Sequence, residues 1–126
     1  MKMTTKQVVE AYRASRELSE MVLPFKVARA VARLRKRLGE EHFTVLEMER
    51  AMVDSCHGKE DVDGYSFPTE EERKAFFTAH RKMMEQEDDI KLPVVDLSAF
   101  ASQLRITPGA IEALEGLVIF EKEEEA

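Results

Sequence analysis

Apolar residues recur at alternating steps of four and three along the middle of the chain, interrupted only where Glu41 stands in place of an apolar side chain. Such steps place side chains along one side of an α-helix about four or five heptads long. The members of this apolar stripe are Val27, Val31, Leu34, Leu38, Val45, Met48 and Met52. Because the apolar side of a helix must be covered, the stripe predicts packing against another helix.

Capping residues and a proline mark the boundaries of the first two helices. Thr4 followed by Gln7 predicts a capping box that opens a first helix running toward Met21. The Leu23–Pro24 step predicts the end of that helix, since the residue before proline avoids helical backbone angles. Proline suits a first helical turn, so the second helix is predicted to start there, to carry the apolar stripe and to end near Cys56.

A turn-rich stretch separates the second helix from a third one. Asp63–Gly64 lies between short β-prone pieces, which predicts a hairpin or ordered loop over residues 62–67. Thr69 with Glu72 is a second capping pair and opens the third helix, which is predicted to end near Gln86. The residues predicted for the inner side of this helix are Phe76, Phe77, His80, Met83 and Met84.

The helical periodicity is lost after the third helix. Apolar residues around Pro93 predict an extended segment over residues 89–95, at a sheet edge because proline donates no hydrogen bond. A short helix follows, capped by Asp96 or Ser98. Thr107–Pro108 then predicts the start of a last helix, with a capping side chain before a proline in the first helical position.

These elements predict a mainly α protein with one helical domain over residues 1–120. An antiparallel hairpin of the second and third helices forms its centre, and the first and last helices pack against that pair. A minor β element is expected near residues 62–67, over 89–95, or at both. Residues 121–126 are predicted to form an acidic, frayed tail.

The composition fits a folded helical protein, with 44% hydrophobic and 35% charged residues and few glycines or prolines. The single cysteine forms no internal disulfide, and no secretory signal pattern is visible, so a cytoplasmic location is expected. No apolar run approaches the length needed to cross a bilayer, so no membrane association is expected. The net charge of −6 argues against binding of long nucleic acid.

Cations are concentrated in the second helix despite the acidic total. Five of them are spaced by steps of one, three and four, which places them together beside the apolar stripe. They are Lys26, Arg29, Arg33, Lys36 and Arg37. Arginine side chains in a row offer bidentate contacts to phosphate or carboxylate, so this basic side is a candidate site for an anionic ligand or partner. The competing interpretation is a solvated helix surface neutralised by acidic residues elsewhere in the chain.

No pattern indicates catalysis, a metal or a cofactor. Asp61, Asp63 and Glu70 partly mimic a calcium loop, but Lys59 stands where the first carboxylate ligand should be. The spacing of the three histidines and the single cysteine matches no zinc pattern. We therefore expect a protein that is not an enzyme and that has no metal site and no cofactor.

Several short motifs follow one another in a recognisable order. They are Leu23-Pro24-Phe25-Lys26-Val27, Asp61-Val62-Asp63-Gly64-Tyr65, Glu87-Asp88-Asp89-Ile90-Lys91-Leu92, Ile106-Thr107-Pro108 and Ala113-Leu114-Glu115. In this order the chain resembles a diffuse group of small, uncharacterised tailed-bacteriophage proteins. Gly116, where such proteins often carry proline, and the apolar residues 118–120 depart from their pattern. The resemblance implies a viral origin and supplies no activity and no catalytic residues.

The function expected from these features is binding without catalysis. The first hypothesis is a phage accessory protein that binds a protein partner of the phage or the host, as an assembly factor or a host-protein modulator, in the host cytoplasm. The alternative is an anti-defence protein that sequesters a nucleotide signal on its basic helix side. The long apolar stripe also favours a symmetric homodimer over a monomer, because one shorter helix covers only part of it.

Overall fold

The structure is a computed structural model that describes residues 1–121, so the predicted acidic tail beyond Glu121 lies outside the described residues. The chain is mainly helical with short strands, as predicted. Its helices are α1 (Thr5–Ser19), α2 (Phe25–Ser55), α3 (Glu70–Glu85), a 3₁₀ helix (Ser98–Gln103) and α4 (Pro108–Ala113). Its strands are β1 (Lys2–Thr4), β2 (Lys59–Asp61), β3 (Gly64–Ser66), β4 (Glu87–Asp89), β5 (Val95–Asp96) and β6 (Val118–Ile119).

The predicted cap of α1 is confirmed in both of its hydrogen bonds. The Gln7 N–H donates to Thr4 Oγ1 at 3.1 Å, and the Thr4 N–H donates to Gln7 Oε1 at 2.8 Å. The second helix is also confirmed: Pro24 stands at its N-cap and Cys56 at its C-cap. A capping box therefore begins α1, whereas α2 begins after a proline that makes no side-chain cap hydrogen bond.

Helix α2 lies along two shorter helices, α1 and α3, whose ends meet. It has 31 residues, whereas α1 has 15 and α3 has 16. Tyr12 of α1 lies against Gly39, and farther along α2 Val45 packs in one cluster with Met83 of α3. The ends of the two shorter helices meet where the Thr5 N–H donates to the Gln86 carbonyl at 3.0 Å.

This arrangement corrects the predicted centre of the fold. The antiparallel pair of α2 and α3 exists, but it uses only the second half of α2, whereas α1 lies against α2 from Arg35 to Val45. A helix twice as long as its neighbours needs two of them to cover one side. Because both come from the same chain, the apolar stripe gives no reason to expect a dimer.

Burial along the apolar stripe follows the prediction at its centre and departs from it at one end. Val31, Leu34, Leu38 and Val45 are buried, whereas Met48 is 41% exposed. Val27 and Met52 are half-buried. The gap at Glu41 has a physical reason, because its carboxylate pairs with Arg37 one helical turn earlier at 2.9 Å.

The far end of the α2–α3 pair is closed by aromatic side chains. Phe76 is buried, and its ring lies 5.0 Å from the Phe67 ring and 5.7 Å from the Tyr65 ring, centre to centre. Phe77, which was predicted on the inner side of α3, is 49% exposed, because one step along a helix turns a side chain by about 100°. The Tyr65 hydroxyl donates to Glu49 at 2.7 Å, and this bond raises the pKa of the phenol.

The predicted hairpin is confirmed, with its turn placed one residue earlier. Strands β2 and β3 pair antiparallel with Asp61 opposite Gly64, so Val62 and Asp63 form the turn. Gly64 has φ +125°, a backbone angle that side chains rarely allow, and it begins the returning strand.

The extended segment predicted over 89–95 is a strand only at its two ends. Strand β4 pairs antiparallel with β1, and β5 pairs in parallel with β6. Residues between these strands, including Pro93, belong to no strand. Strands β1 and β6 are not predictable from the sequence, because strands of two or three residues are too short to show a period.

The last helix is fixed to the first by its capping residue. Thr107 Oγ1 accepts from the Ala110 N–H at 3.3 Å, as the capping pattern predicts. The Thr107 N–H and hydroxyl also donate to Glu17 of α1 at 2.9 and 2.7 Å. Leu114 and Leu117 complete the core behind this contact. Within residues 1–121, no helix combines the length and the apolar character that crossing a bilayer requires.

Gly39 lets the Tyr12 ring lie close to α2, since a Cβ at this position would stand 3.2 Å from Tyr12 Cε2. Alanine is normally favoured over glycine inside a helix by about 1 kcal/mol. We expect Gly39→Ala to gain no stability, because the close ring contact offsets the helix preference for alanine. We expect Gly109→Ala to gain it, because a Cβ at that position would meet nothing within 4 Å. Urea unfolding of the two variants makes the comparison, and equal stabilisation at both positions would contradict it.

Candidate binding surface on the second helix

Four of the five predicted cations lie on the solvent side of α2. Lys26, Arg29, Arg33 and Lys36 are exposed, and within residues 1–121 none of them forms an ion pair. Surface cations gain little from distant carboxylates, because water and salt screen the attraction. These four side chains are therefore available for contacts from outside the described part of the chain.

Arg37, the fifth predicted cation, is placed differently. Its guanidinium lies 2.9 Å from Glu41 and 3.4 Å from Glu40, at the spacings that bring helix side chains together. The side chain is also partly buried. The structure therefore separates Arg37 from the other four, because its charge is already paired within the helix.

A second row of residues on α2 was not identified from the sequence. It comprises apolar or small side chains about a third of a turn around the helix from the apolar stripe, and we call it the exposed stripe. Its members are Phe25, Ala28, Ala32, Gly39, Phe43 and Leu46. The three large side chains are 77%, 59% and 47% exposed, respectively. The signal was present in the sequence, because these positions follow steps of three, four and seven that keep them on one side of a helix.

An open groove borders the first half of the exposed stripe, where α1 and the turn after it meet α2. Its volume is about 460 Å³. Ala28, Ala32 and Gly39 form one wall with almost no side chain, and Arg35 and Lys36 supply cations. Small residues at the wall of a groove let a neighbouring chain approach the helix closely.

The Tyr12 ring in this groove is covered on both faces. The His42 ring is nearly parallel to it, at 19° and 4.8 Å between centres, and the Arg35 guanidinium carbon lies 5.3 Å from its centre. Arg35 and His42 are seven positions apart, or about 10.5 Å along a helix, which matches a ring held between them. Arg35 Nε is buried without a hydrogen-bond partner within residues 1–121. The ring contact therefore accounts for the position of this guanidinium.

Charges beside the exposed stripe change sign halfway along α2. We call this row the charged band; its members are Arg29, Arg33, Lys36, Glu40, Glu47 and Asp54. All six side chains are exposed. The first half of the band is positive and the second half is negative, so the helix surface has a direction.

Two histidines outside α2's basic side pair with carboxylates. His57 Nδ1 lies 2.9 Å from Glu72, and His80 Nε2 lies 3.2 Å from Glu49. Cys56 caps α2 and is half-buried. Among residues 1–121, no three His, Cys, Asp or Glu side chains gather as a metal site would require. The expectation that the protein has no metal, no cofactor and no catalytic residue stays a prediction.

Comparisons with known proteins found no relative of this chain. The chain matches no protein-family model, no curated protein and no solved structure. The viral origin implied by the resemblance therefore stays a prediction. The surface of α2 is the structural basis for the function proposed below.

Proposed function

We propose that the protein acts without catalysis, by binding an acidic helical segment of a protein partner along the exposed side of α2. One observation carries the proposal: Arg29, Arg33 and Lys36, which have no carboxylate partner within residues 1–121, lie beside the exposed aromatic residues Phe25 and Phe43.

The combination of residue types supports a protein partner. Single exposed apolar side chains are ordinary on protein surfaces, and separately they would need no explanation. Aromatic and arginine side chains, however, dominate the binding energy of protein interfaces. Here they occur on one side of one helix at helical spacing, which fits a second helix lying alongside.

The charge of the partner follows from the cations. A segment that buries Phe25 against its own apolar side would bring its flanking residues next to the positive half of the charged band. Carboxylates at those flanks would pair with Arg29 and Arg33, whereas cations there would be repelled. An acidic amphipathic helix therefore fits the first half of α2 best. A phage or host protein that carries such a helix would be the partner in the accessory role that the sequence suggests.

Nucleotide binding, the alternative hypothesis, draws on the same cations. Bases bind proteins by stacking on aromatic rings, and Tyr12 is the ring nearest to Arg35 and Lys36 in the groove. Both faces of this ring are already covered. The groove therefore supports phosphate contacts without a free aromatic face, and the exposed Phe25 and Phe43 rings do not line it, which favours the protein partner.

Fluorescence anisotropy with a labelled acidic helical peptide tests the proposal. The probe carries leucines at the apolar heptad positions and glutamates beside them. We expect wild type to bind it, and Arg29→Glu combined with Arg33→Glu to weaken binding by at least about tenfold, since each replacement turns attraction into repulsion. Phe43→Ser should also weaken binding, because the apolar contact is lost.

A matched control separates the surface from the net charge. Arg81→Glu with Lys82→Glu makes the same change in net charge on exposed positions of α3 and should leave the affinity unchanged. An equal loss of affinity in both double variants would contradict the proposal. Wild-type protein that does not bind the peptide at moderate salt would also contradict it. Cyclic and linear nucleotides in the same titration should give no competition, and displacement of the peptide by one of them would favour the alternative.

A further inference from the structure

We infer that a second copy of this chain occupies the exposed side of α2, with the two α2 helices antiparallel. The inference rests on the surface that the proposed function assigns to protein binding, and it names the chain itself as an occupant of that surface. Two features of α2 support it independently, the sign change along the charged band and the distribution of large and small residues, and both select the same register.

The charged band is complementary to itself when reversed. Its first half carries Arg29, Arg33 and Lys36, and its second half carries Glu40, Glu47 and Asp54, all exposed. In an antiparallel pair of helices related by a two-fold axis, the same flank of each helix meets, running in opposite directions. The positive half of one copy therefore meets the negative half of the other. In a parallel two-fold pair, each band would instead face the other flank of its neighbour, and the sign change would have no complement.

Apart from Phe25 at the start of α2, large and small residues of the exposed stripe are separated in the same way. The second half carries Phe43 and Leu46, whereas the first half carries Ala28 and Ala32 beside the groove of about 460 Å³. Reversal brings the large side chains of one copy to the small residues and groove of the other. Side chains that enter such spaces bury apolar area on both copies, which drives association.

One register satisfies both features. In an antiparallel pair of helices, the sequence numbers of two facing residues add to a nearly constant value. The sum for Phe43 facing Ala32 and the sum for Leu46 facing Ala28 differ by only one. The same sum places Phe25 opposite Arg50, a cation beside an aromatic ring. The flanking pairs in that register are Arg29 with Glu47 and Lys36 with Glu40 of the second copy.

This dimer differs from the one that the sequence suggested. The apolar stripe, whose length suggested a dimer, is covered by α1 and α3 over most of its length, whereas the exposed stripe lies beside it on the solvent side of α2. The self-paired surface is also the surface proposed for the acidic partner. A partner helix would therefore compete with the second copy, and binding would convert a dimer into a complex of one chain with its partner.

Sedimentation equilibrium of wild type and two charge variants tests the inference. The acidic variant, Arg29→Glu with Lys36→Glu, and the basic variant, Glu40→Lys with Glu47→Lys, each place like charges together at every named pair of the charged band. We expect wild type to dimerise at micromolar concentrations and each variant alone to dissociate at least about tenfold more readily. An equimolar mixture of the two variants should restore a one-to-one dimer, because every flanking pair is again opposite in sign.

The outcomes separate this inference from the proposed function. Circular dichroism should show unchanged helix content in both variants, since the replaced side chains are exposed, and Arg81→Glu with Lys82→Glu should dimerise as wild type does. Monomeric wild type, or a mixture of variants that stays monomeric while wild type dimerises, would overturn the inference. Monomeric wild type that still binds the acidic peptide would leave the proposed function standing, whereas a wild-type dimer that the peptide neither binds nor dissociates would overturn the function alone.

Discussion

Replacing Leu34 with alanine is expected to lower the free energy of unfolding by about 2–5 kcal/mol. Leu34 lies in the middle of the apolar stripe, is 1% exposed and belongs to the main core cluster. The replacement removes three buried carbon atoms and leaves a cavity that a well-packed core closes only in part. Urea denaturation followed by circular dichroism measures the change.

A matched control for this variant lies on the same helix. Leu46 is 47% exposed on the solvent side of α2, so Leu46→Ala should cost less than about 1 kcal/mol. The two variants lose the same atoms from the same helix, and they differ in burial. Similar losses for both would mean that the apolar stripe does not face the core, and the arrangement of α2 along α1 and α3 would have to be abandoned.

Phe76→Ala is expected to have a comparable effect, of about 3–5 kcal/mol, at the other end of the molecule. The Phe76 ring is 3% exposed and contacts the rings of Tyr65, Phe67, Phe77 and His80. Its removal takes away both the buried area and the edge-to-face contacts that join α3 to the hairpin. Thermal and urea unfolding should both report the loss.

The neighbouring residue supplies the control for this prediction. Phe77 is 49% exposed, so Phe77→Ala should have a much smaller effect, even though the two phenylalanines are adjacent and chemically identical. A larger loss for Phe77 than for Phe76 would show that α3 is rotated from the orientation described here. Equal stability of Phe76→Ala and wild type would contradict the aromatic contacts altogether.

Local signals made the helices predictable. Thr4, Thr69 and Thr107 each cap the helix that follows, and each bond joins residues three positions apart. The apolar residues at alternating steps of four and three predicted α2, because a helix that is buried on one side carries apolar residues with this period. The pairing of α1 with α2 was less visible, since nothing in a helix's own sequence says which of several apolar helices covers it.

Other contacts had no local signal. Strand β1 forms only because the end of α3 meets the start of α1. This contact places Lys2 opposite Asp89, which is distant from it in the sequence. The column of Arg35, Tyr12 and His42 likewise joins two helices. Contacts of this kind depend on the relative position of helices, which the hydrophobic pattern constrains only loosely.

The candidate surface was predicted in part. Its cations were recognised from their spacing, although Arg37 proved to be paired with Glu40 and Glu41. The exposed stripe was overlooked because its small residues are weakly hydrophobic and its phenylalanines are far apart in sequence. Exposure in the folded chain distinguishes it from a core stripe, and exposure is a property of the whole fold.

Chemical-shift mapping by NMR tests the central claim most directly, that the exposed side of α2 is the binding surface of this protein. The basic variant, Glu40→Lys with Glu47→Lys, keeps self-pairing from obscuring the result when labelled protein is titrated with the acidic helical peptide. The account predicts shifts concentrated at Phe25, Arg29, Ala32, Lys36 and Phe43, with little change in the hairpin of β2 and β3 or in α4. Shifts concentrated in those other elements, or no shifts at saturating peptide, would contradict it.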